Sequence, residues 1–571
     1  MSLQELNDFF QRGEFEEVIK KLPQLSENDY IDGQFLNTEI LYIKGDIEGI
    51  NKIVEDLTPR IHSLKDKYYE IYLSIIELEP FSKIFENSEF DQRRDEIAYF
   101  FSSLSENQIK DVQWSKLFIN YQLKYKTQRM NKQEEIYSEL EKANIISKEL
   151  NIPYYSGLCL LRIGLHFSKN FNLSKALDYL DRSKKIFESL NNKYWLSFLY
   201  VFIGAISTNK GDYGEAESII QKSVSISKSI NFKSGISLAY LHLAGLYNSQ
   251  GELQKSIEYD LKSLEIAESM NYLERLATLY NNMGIKYRKL GELDKAFNYF
   301  NKTKAMKMGD PLYLKGISDF QIGDTYFEKG ELDKAHYHLQ QAYIFFKNKE
   351  GPFSILSIER LINISLLQGN EKHARTLLEE LKEKISDYEG IIGQGAYKLS
   401  KARILLASKR LRDKMKAEDI LRELYDNREK NHQYYSSTAM YLLCEVLLDE
   451  LRLYSEQVVL EEVKQLIEDI YTYAQKQHSY SQLISALILK SKFAILEGKF
   501  DQVPQILNQA LLTAKEKKLD GLEKKIILEE ESFNNQLEQW KGLITDNASH
   551  FERIEKMKLK KYIQEARKYI H

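Results

Sequence analysis

Gly211, Gly251 and Gly291 recur at intervals of 40 residues, Gly330 and Gly369 each follow 39 later, and Phe171 holds the same slot one period earlier. A fixed period of this length, carried by helix-type sequence, buries its apolar faces only by stacking one unit on the next. The chain is therefore expected to be a solenoid of helical pairs. With 571 residues it exceeds the size of one ordinary core, a limit a repeat array escapes because each unit touches only its neighbours. Seven prolines and 29% charged residues suit a helical soluble chain.

The columns aligned to these breaks are physical. Seven residues before the break stand Gly164, Gly204, Ala244, Gly284 and Gly323, and three residues further on come Phe167, Tyr247, Tyr287 and Tyr326, with Ser207 as the exception. Five residues after the break come Ala176, Ala216, Ser256, Ala296, Ala335 and Ala374, and seven beyond those Ser183, Ser223, Ser263, Thr303 and Ala342. Small columns let two helix backbones approach, and the ring fills the wedge beside them. The glycine is expected to end the first helix in the left-handed conformation. Asn151, Asn191, Asn231 and Asn271, again 40 apart, are expected to end the second.

This order of small residue, ring, glycine and alanine resembles the tetratricopeptide repeat. The resemblance implies an all-α, right-handed superhelix, with a unit about six residues longer than the usual 34. The extra residues are placed at the end of the second helix and in the loop after it. Similar long units occur in kinesin light chains, spindle-orientation adaptors and many prokaryotic proteins. About thirteen helical pairs are expected from the period. The match is clearest over 151–390, with divergent units over 1–150 and 391–518. Turns are placed at Gly13, Gly45, near Asn87, Met130, Leu411 and Leu453, and at Gly498.

The rhythm stops in the last segment, 519–571. Leu522, Ile526, Phe533, Leu537, Trp540 and Ile544 form one apolar stripe, Thr545-Asp546-Asn547 breaks it, and Ser549 with Glu552 forms a capping-box pattern. A second stripe follows through Phe551, Ile554, Met557, Tyr562, Ala566 and Ile570. The segment reads as a helical cap on the last repeat, with a coiled coil or homodimer helix as the alternative. Its last helix is basic, through Arg553, Lys556, Lys558, Lys560, Lys561, Arg567 and Lys568.

In the resembling family the first helix of each pair lines a concave groove. The corresponding positions here include Leu161, Leu165, Phe198, Val201, Leu241, Asn248, Asn281, Arg288, Phe320 and Asp324. The groove would begin apolar and turn polar at Asn281 and Arg288, where an amide can bond a peptide backbone and a guanidinium a carboxylate. Leu158, Leu161 and Leu241 could instead pack inside a tight superhelix.

Chemistry is not signalled. There is no phosphate loop and no zinc motif, and His336, His338 and His373 do not share the spacing of a metal site. Gly390, Gly393 and Gly395 read as a flexible connection between helices. Cys159 and Cys444 fit core positions in a reducing cytoplasm. The start Met-Ser-Leu-Gln-Glu-Leu lacks a secretory pattern, and no apolar run of spanning length occurs. A net charge of −4 argues against a nucleic-acid partner. The expectation is a non-enzymatic cytoplasmic scaffold with no cofactor, taking a protein or peptide partner. The alternatives are a peptide- or effector-sensing regulator, and a binder of acidic surfaces (RNA or membrane) through the basic C-terminal helix.

Overall fold

The computed structural model describes residues 2–26, 29–44, 46–77, 96–101, 103–104, 118–119, 133–169, 172–306, 311–347, 352–386, 391–428, 433–454, 457–476, 479–517, 519–546 and 548–566. Phe171, Gly45 and the turns placed near Asn87 and Met130 lie outside these residues. Among the described residues the chain is all helix, with consecutive helices paired as in a tetratricopeptide solenoid, and none is long and apolar enough to cross a membrane. It divides into two compact units, one made of residues 1–246, 258–279 and 306–311 and the other of 247–257, 280–305 and 312–571.

The backbone breaks fall where the period put them. Gly211, Gly251, Gly291, Gly330 and Gly369 have φ between 72° and 86°, and Asn151, Asn191, Asn231 and Asn271 have φ between 48° and 52°. Gly211 caps the Lys193–Lys210 helix in the left-handed conformation, so the tight turn into the Tyr213–Ser229 helix needs no Cβ there. Within a pair, the small columns set the approach. A Cβ on Gly204 would stand 2.5 Å from Ile220, and one on Gly284 2.4 Å from the Phe300 ring. Ala176, Ala216, Ser256, Ala296, Ala335 and Ala374 are all fully buried.

The ring column carries a partner that the period also explains. Lys175, Lys255, Lys295 and Lys334 each set an ammonium over Phe167, Tyr247, Tyr287 and Tyr326, at 4.6–5.3 Å from the ring centre. In the unit where Ser207 replaces the ring, the lysine slot is Glu215. Cation and ring are lost together.

Three expectations need correction. The extra residues do not lengthen the loop: the Leu173–Ser189 helix and the Lys193–Lys210 helix are separated only by residues 190–192, so the addition lengthens the second helix and the start of the next first helix. Gly393 and Gly395 lie inside the Ile391–Ala407 helix, because a Cβ at Gly395 would stand 2.3 Å from Tyr435; close packing, not flexibility, places that glycine. The last apolar stripe is split into helices His550–Lys556 and Leu559–Ala566 by Lys558, whose φ is 50°.

In the second unit the C-terminal helices pack onto their own array. Tyr562 Oη donates to the Ser485 carbonyl at 3.0 Å, Arg553 to the Leu496 carbonyl at 3.3 Å, and Lys560 pairs with Asp449 at 2.6 Å. Leu522, Ile526, Phe533 and Trp540 are buried in the same core, and Ser549 with Glu552 closes the capping box. Leu537 packs at its edge.

Candidate functional site

In the first unit the lengthened first helices carry an apolar stripe that begins one turn before the candidate groove positions. Tyr154, Leu158, Leu161 and Leu165 follow spacings of 4, 3 and 4 on the Pro153–Lys169 helix, and Tyr194, Phe198 and Val201 repeat the pattern on Lys193–Lys210. This stripe is already occupied at its upper end. The N-terminal helices Leu3–Gln11 and Phe15–Lys21 lay Phe10 against Tyr154, with ring centres 5.1 Å apart, and Phe15 on Tyr194 at 4.2 Å. Leu6, Phe10, Phe15, Val18 and Leu161 belong to one buried cluster, packed also by Leu158, Leu165 and Phe198. Asn192 Nδ2 donates to the Gln11 carbonyl at 2.8 Å and locks the joint between the two helices. Leu161 and Val201 are 3% and 1% exposed, whereas Leu165, Phe198 and Leu241 stay half-buried with part of their surface in reach of solvent.

In the second unit the remaining candidate positions are buried or half-buried. Asn248 and Asn281 are half-buried, and Arg288, Phe320 and Asp324 are buried. Phe320 packs edge-on to Phe353 at 5.5 Å. Asp324 is not open to a ligand as the sequence suggested: Arg360 Nε donates to it at 2.8 Å and Arg288 stands 3.7 Å away. The ladder continues from Arg360 to Glu359 at 2.7 Å and to Tyr434 Oη at 2.7 Å, and from Glu359 to Arg403 at 2.5 Å. Glu359 is fully buried, so its charge depends on those two guanidiniums. Sequence reasoning missed Glu359, Arg360 and Arg403. Their signal was opposite charges at nearly one period, Asp324 to Arg360 and Glu359 to Arg403.

Beside the ladder, polar atoms are left over. Asn281 Oδ1, Arg288 Nε and Nη1, and Gln321 Oε1 are buried without a hydrogen bond among the described residues, although Arg288 stands 3.3 Å from Glu328. Asn281 and Arg288 are seven residues apart on one helix, hence on one face. Burial shifts two neighbours: it pushes the Glu328 carboxyl up to about 7, opposed by Arg288, and the Lys289 ammonium down to about 8, aided by Arg288 and Lys286.

Among the described residues no group of histidines, cysteines and carboxylates could hold a metal ion, and His338 is engaged by Asp319 at 2.8 Å. Cys159 and Cys444 are buried, and burial pushes both thiols well above their ordinary range. They are packing residues.

Residues 199–230 and 235–308 match the tetratricopeptide repeat family. Together with the helix pairing and the small-residue columns, this makes the chain a tetratricopeptide-repeat protein. Among solved structures it is similar to the apo form of the quorum sensor NprR from B. thuringiensis, at 15% identity over 71% of this chain and 99% of that one, with a TM-score of 0.41. It is also similar to BtubC (BKLC) from P. vanneervenii, at 17% identity over 38% and 94% and a TM-score of 0.33. A third is the signal transduction ATPase with a tetratricopeptide repeat sensor from Pyrococcus horikoshii, at 16% identity over 71% and 66% and a TM-score of 0.37. No curated protein matches the sequence.

Proposed function

We propose that this chain is a non-enzymatic interaction protein that binds a peptide or helical segment of a partner on the concave face of its repeats, in a reducing compartment such as the cytoplasm. The observation that carries this reading is the set of buried polar atoms that make no hydrogen bond: Asn281 Oδ1, Gln321 Oε1, and the Nε and Nη1 of Arg288, which has only ion-pair contacts to Glu328 and Asp324. A buried donor or acceptor left unmade costs about 1–3 kcal/mol, so such a set calls for an occupant. A peptide supplies what is missing: its backbone N–H groups for the two amide oxygens, and a side-chain or terminal carboxylate for the guanidinium nitrogens that Glu328 and Asp324 leave without a hydrogen bond.

Selection of peptides from a displayed library on the purified chain tests this. Selected peptides should bind Asn281→Ala and Arg288→Lys at least about tenfold more weakly, with helicity and melting unchanged. Equal affinity for both variants and the parent would end the proposal.

A second reading, a peptide-sensing regulator, is favoured by the N-terminal helices lying on Tyr154 and Tyr194. An internal segment on that stripe is one a partner would have to displace.

A further inference from the structure

The repeat surfaces do not account for an open cavity of about 300 Å³ in the second unit, lined by the Tyr480–Leu496, Val503–Glu516 and Asp520–Thr545 helices and the two short C-terminal ones. Its lining is mixed: Phe533, Trp540, Met557 and Tyr562, each 5–8% exposed, with Val503 and Leu507, present apolar and aromatic edges, and Ser491, Ser532 and Gln536 add polar groups between them. Its lip is cationic. Four lysines line it against a single carboxylate, and that carboxylate, Glu529, is taken by Lys492 at 2.6 Å. Lys556, Lys558 and Lys561 remain exposed and have no ion-pair partner among the described residues. The neighbouring Lys560, by contrast, is held by Asp449.

Three cations without an ion pair among the described residues, set around one opening in a chain whose net charge is −4, are not the average surface of this protein. The lip is also strained. Lys558 holds φ at 50°, a conformation that disfavours a side chain with a Cβ, and it does so where glycine would turn the chain more cheaply. Across that turn Lys556, Lys558 and Lys561 all line the same cavity.

We propose that this cavity binds a small amphiphilic organic anion. Its apolar body, of acyl or aryl type and up to about twenty non-hydrogen atoms, lies against Trp540, Phe533 and Met557, and its carboxylate or phosphate head meets Lys556, Lys558 and Lys561. The apolar wall supplies affinity that depends little on the head. The lysines supply the preference for an anion, which weakens as salt rises.

Calorimetric titration of the full chain with anilinonaphthalene sulfonate tests this, with octanoate, octyl phosphate and octanol as competitors. One site per chain is expected, displaced by both anions and at least about tenfold less well by octanol. Lys556→Gln/Lys561→Gln, two exposed positions, should weaken the fluorophore by about tenfold or more without changing the melting temperature. Ser532→Trp, at the exposed edge of the lining, should fill the cavity and abolish binding. The proposal is overturned if no probe binds up to millimolar concentration, if octanol competes as well as octanoate, or if the lysine variant binds as the parent does. A preference between octanoate and octyl phosphate supports it and identifies the head.

Discussion

Asn192 makes two hydrogen bonds that belong to different levels of structure. Its Oδ1 accepts from the Trp195 amide at 3.2 Å and caps the Lys193–Lys210 helix, while its Nδ2 donates to the Gln11 carbonyl, 181 residues away in sequence, at 2.8 Å. The substitution Asn192→Asp keeps the cap and removes the donor. The expected outcome is a loss of about 1–2 kcal/mol confined to the N-terminal helices. Hydrogen exchange should show protection falling over Leu3–Lys21 and unchanged over Lys193–Lys210. Loss in both segments, or in neither, would mean that the Gln11 bond does not hold the N-terminal pair.

How much of this was legible in the sequence depends on how locally each feature is encoded. The helix ends were legible because a left-handed residue is chosen for its own backbone: Gly211 and Asn191 carry their φ in their identity. The pair contacts were legible through the small columns, because Gly284 and Phe300 stand at fixed offsets within one period. The seat of the N-terminal helices was not. Phe10, Gly13 and Phe15 read as one more divergent repeat, and nothing near them points to Tyr154 or Tyr194. At the candidate site the sequence singled out Asn281 and Arg288, which do share a face, but it offered Asp324 as open, whereas Arg360 from the next unit takes it. Lys558 left no mark, since lysine is not chosen for a left-handed turn.

The two roles of glycine separate on substitution. Gly211 has φ 86° and open space around a would-be Cβ, so Gly211→Ala should cost about 1 kcal/mol through backbone strain alone, and Gly211→Asn less. At Gly284 a Cβ would press on three atoms of the Phe300 ring, the nearest at 2.4 Å, and that ring is fully buried. Gly284→Ala should cost about 1–3 kcal/mol, with Phe300→Leu restoring part of it. Urea unfolding of the four variants checks this. Equal costs at the two glycines, without rescue at Phe300, would contradict the packing account.

The buried ladder should behave as a unit. Glu359 is shielded from solvent and touches Arg360 and Arg403, so Glu359→Gln leaves two guanidiniums facing a neutral amide and should cost about 3–5 kcal/mol. Arg403→Met removes one of the stranded charges. Combined with Glu359→Gln it should cost clearly less than the sum of the two single changes. A double-mutant cycle by chemical unfolding measures the coupling. Additive costs would mean that Arg360 and Tyr434 alone satisfy the site.

Glu328 gives the fold an unusual pH dependence. Burial raises its carboxyl from 4.5 to about 7, more than Arg288 can pull back, and Asp324 adds to the rise. The folded chain therefore binds this proton more tightly than the unfolded one. The contribution is fully present below about pH 4.5 and is lost as pH rises to about 7, opposite to a salt-bridged carboxylate. Glu328→Gln keeps the neutral form at every pH. It should match the parent at pH 5 and exceed it at pH 8 by roughly 1–3 kcal/mol, read from urea midpoints. A variant less stable than the parent at pH 8 would show that the ion pair with Arg288, at 3.3 Å, outweighs the cost of burying the charge, and Glu328 would then join the ladder as its fifth carboxyl-to-arginine contact.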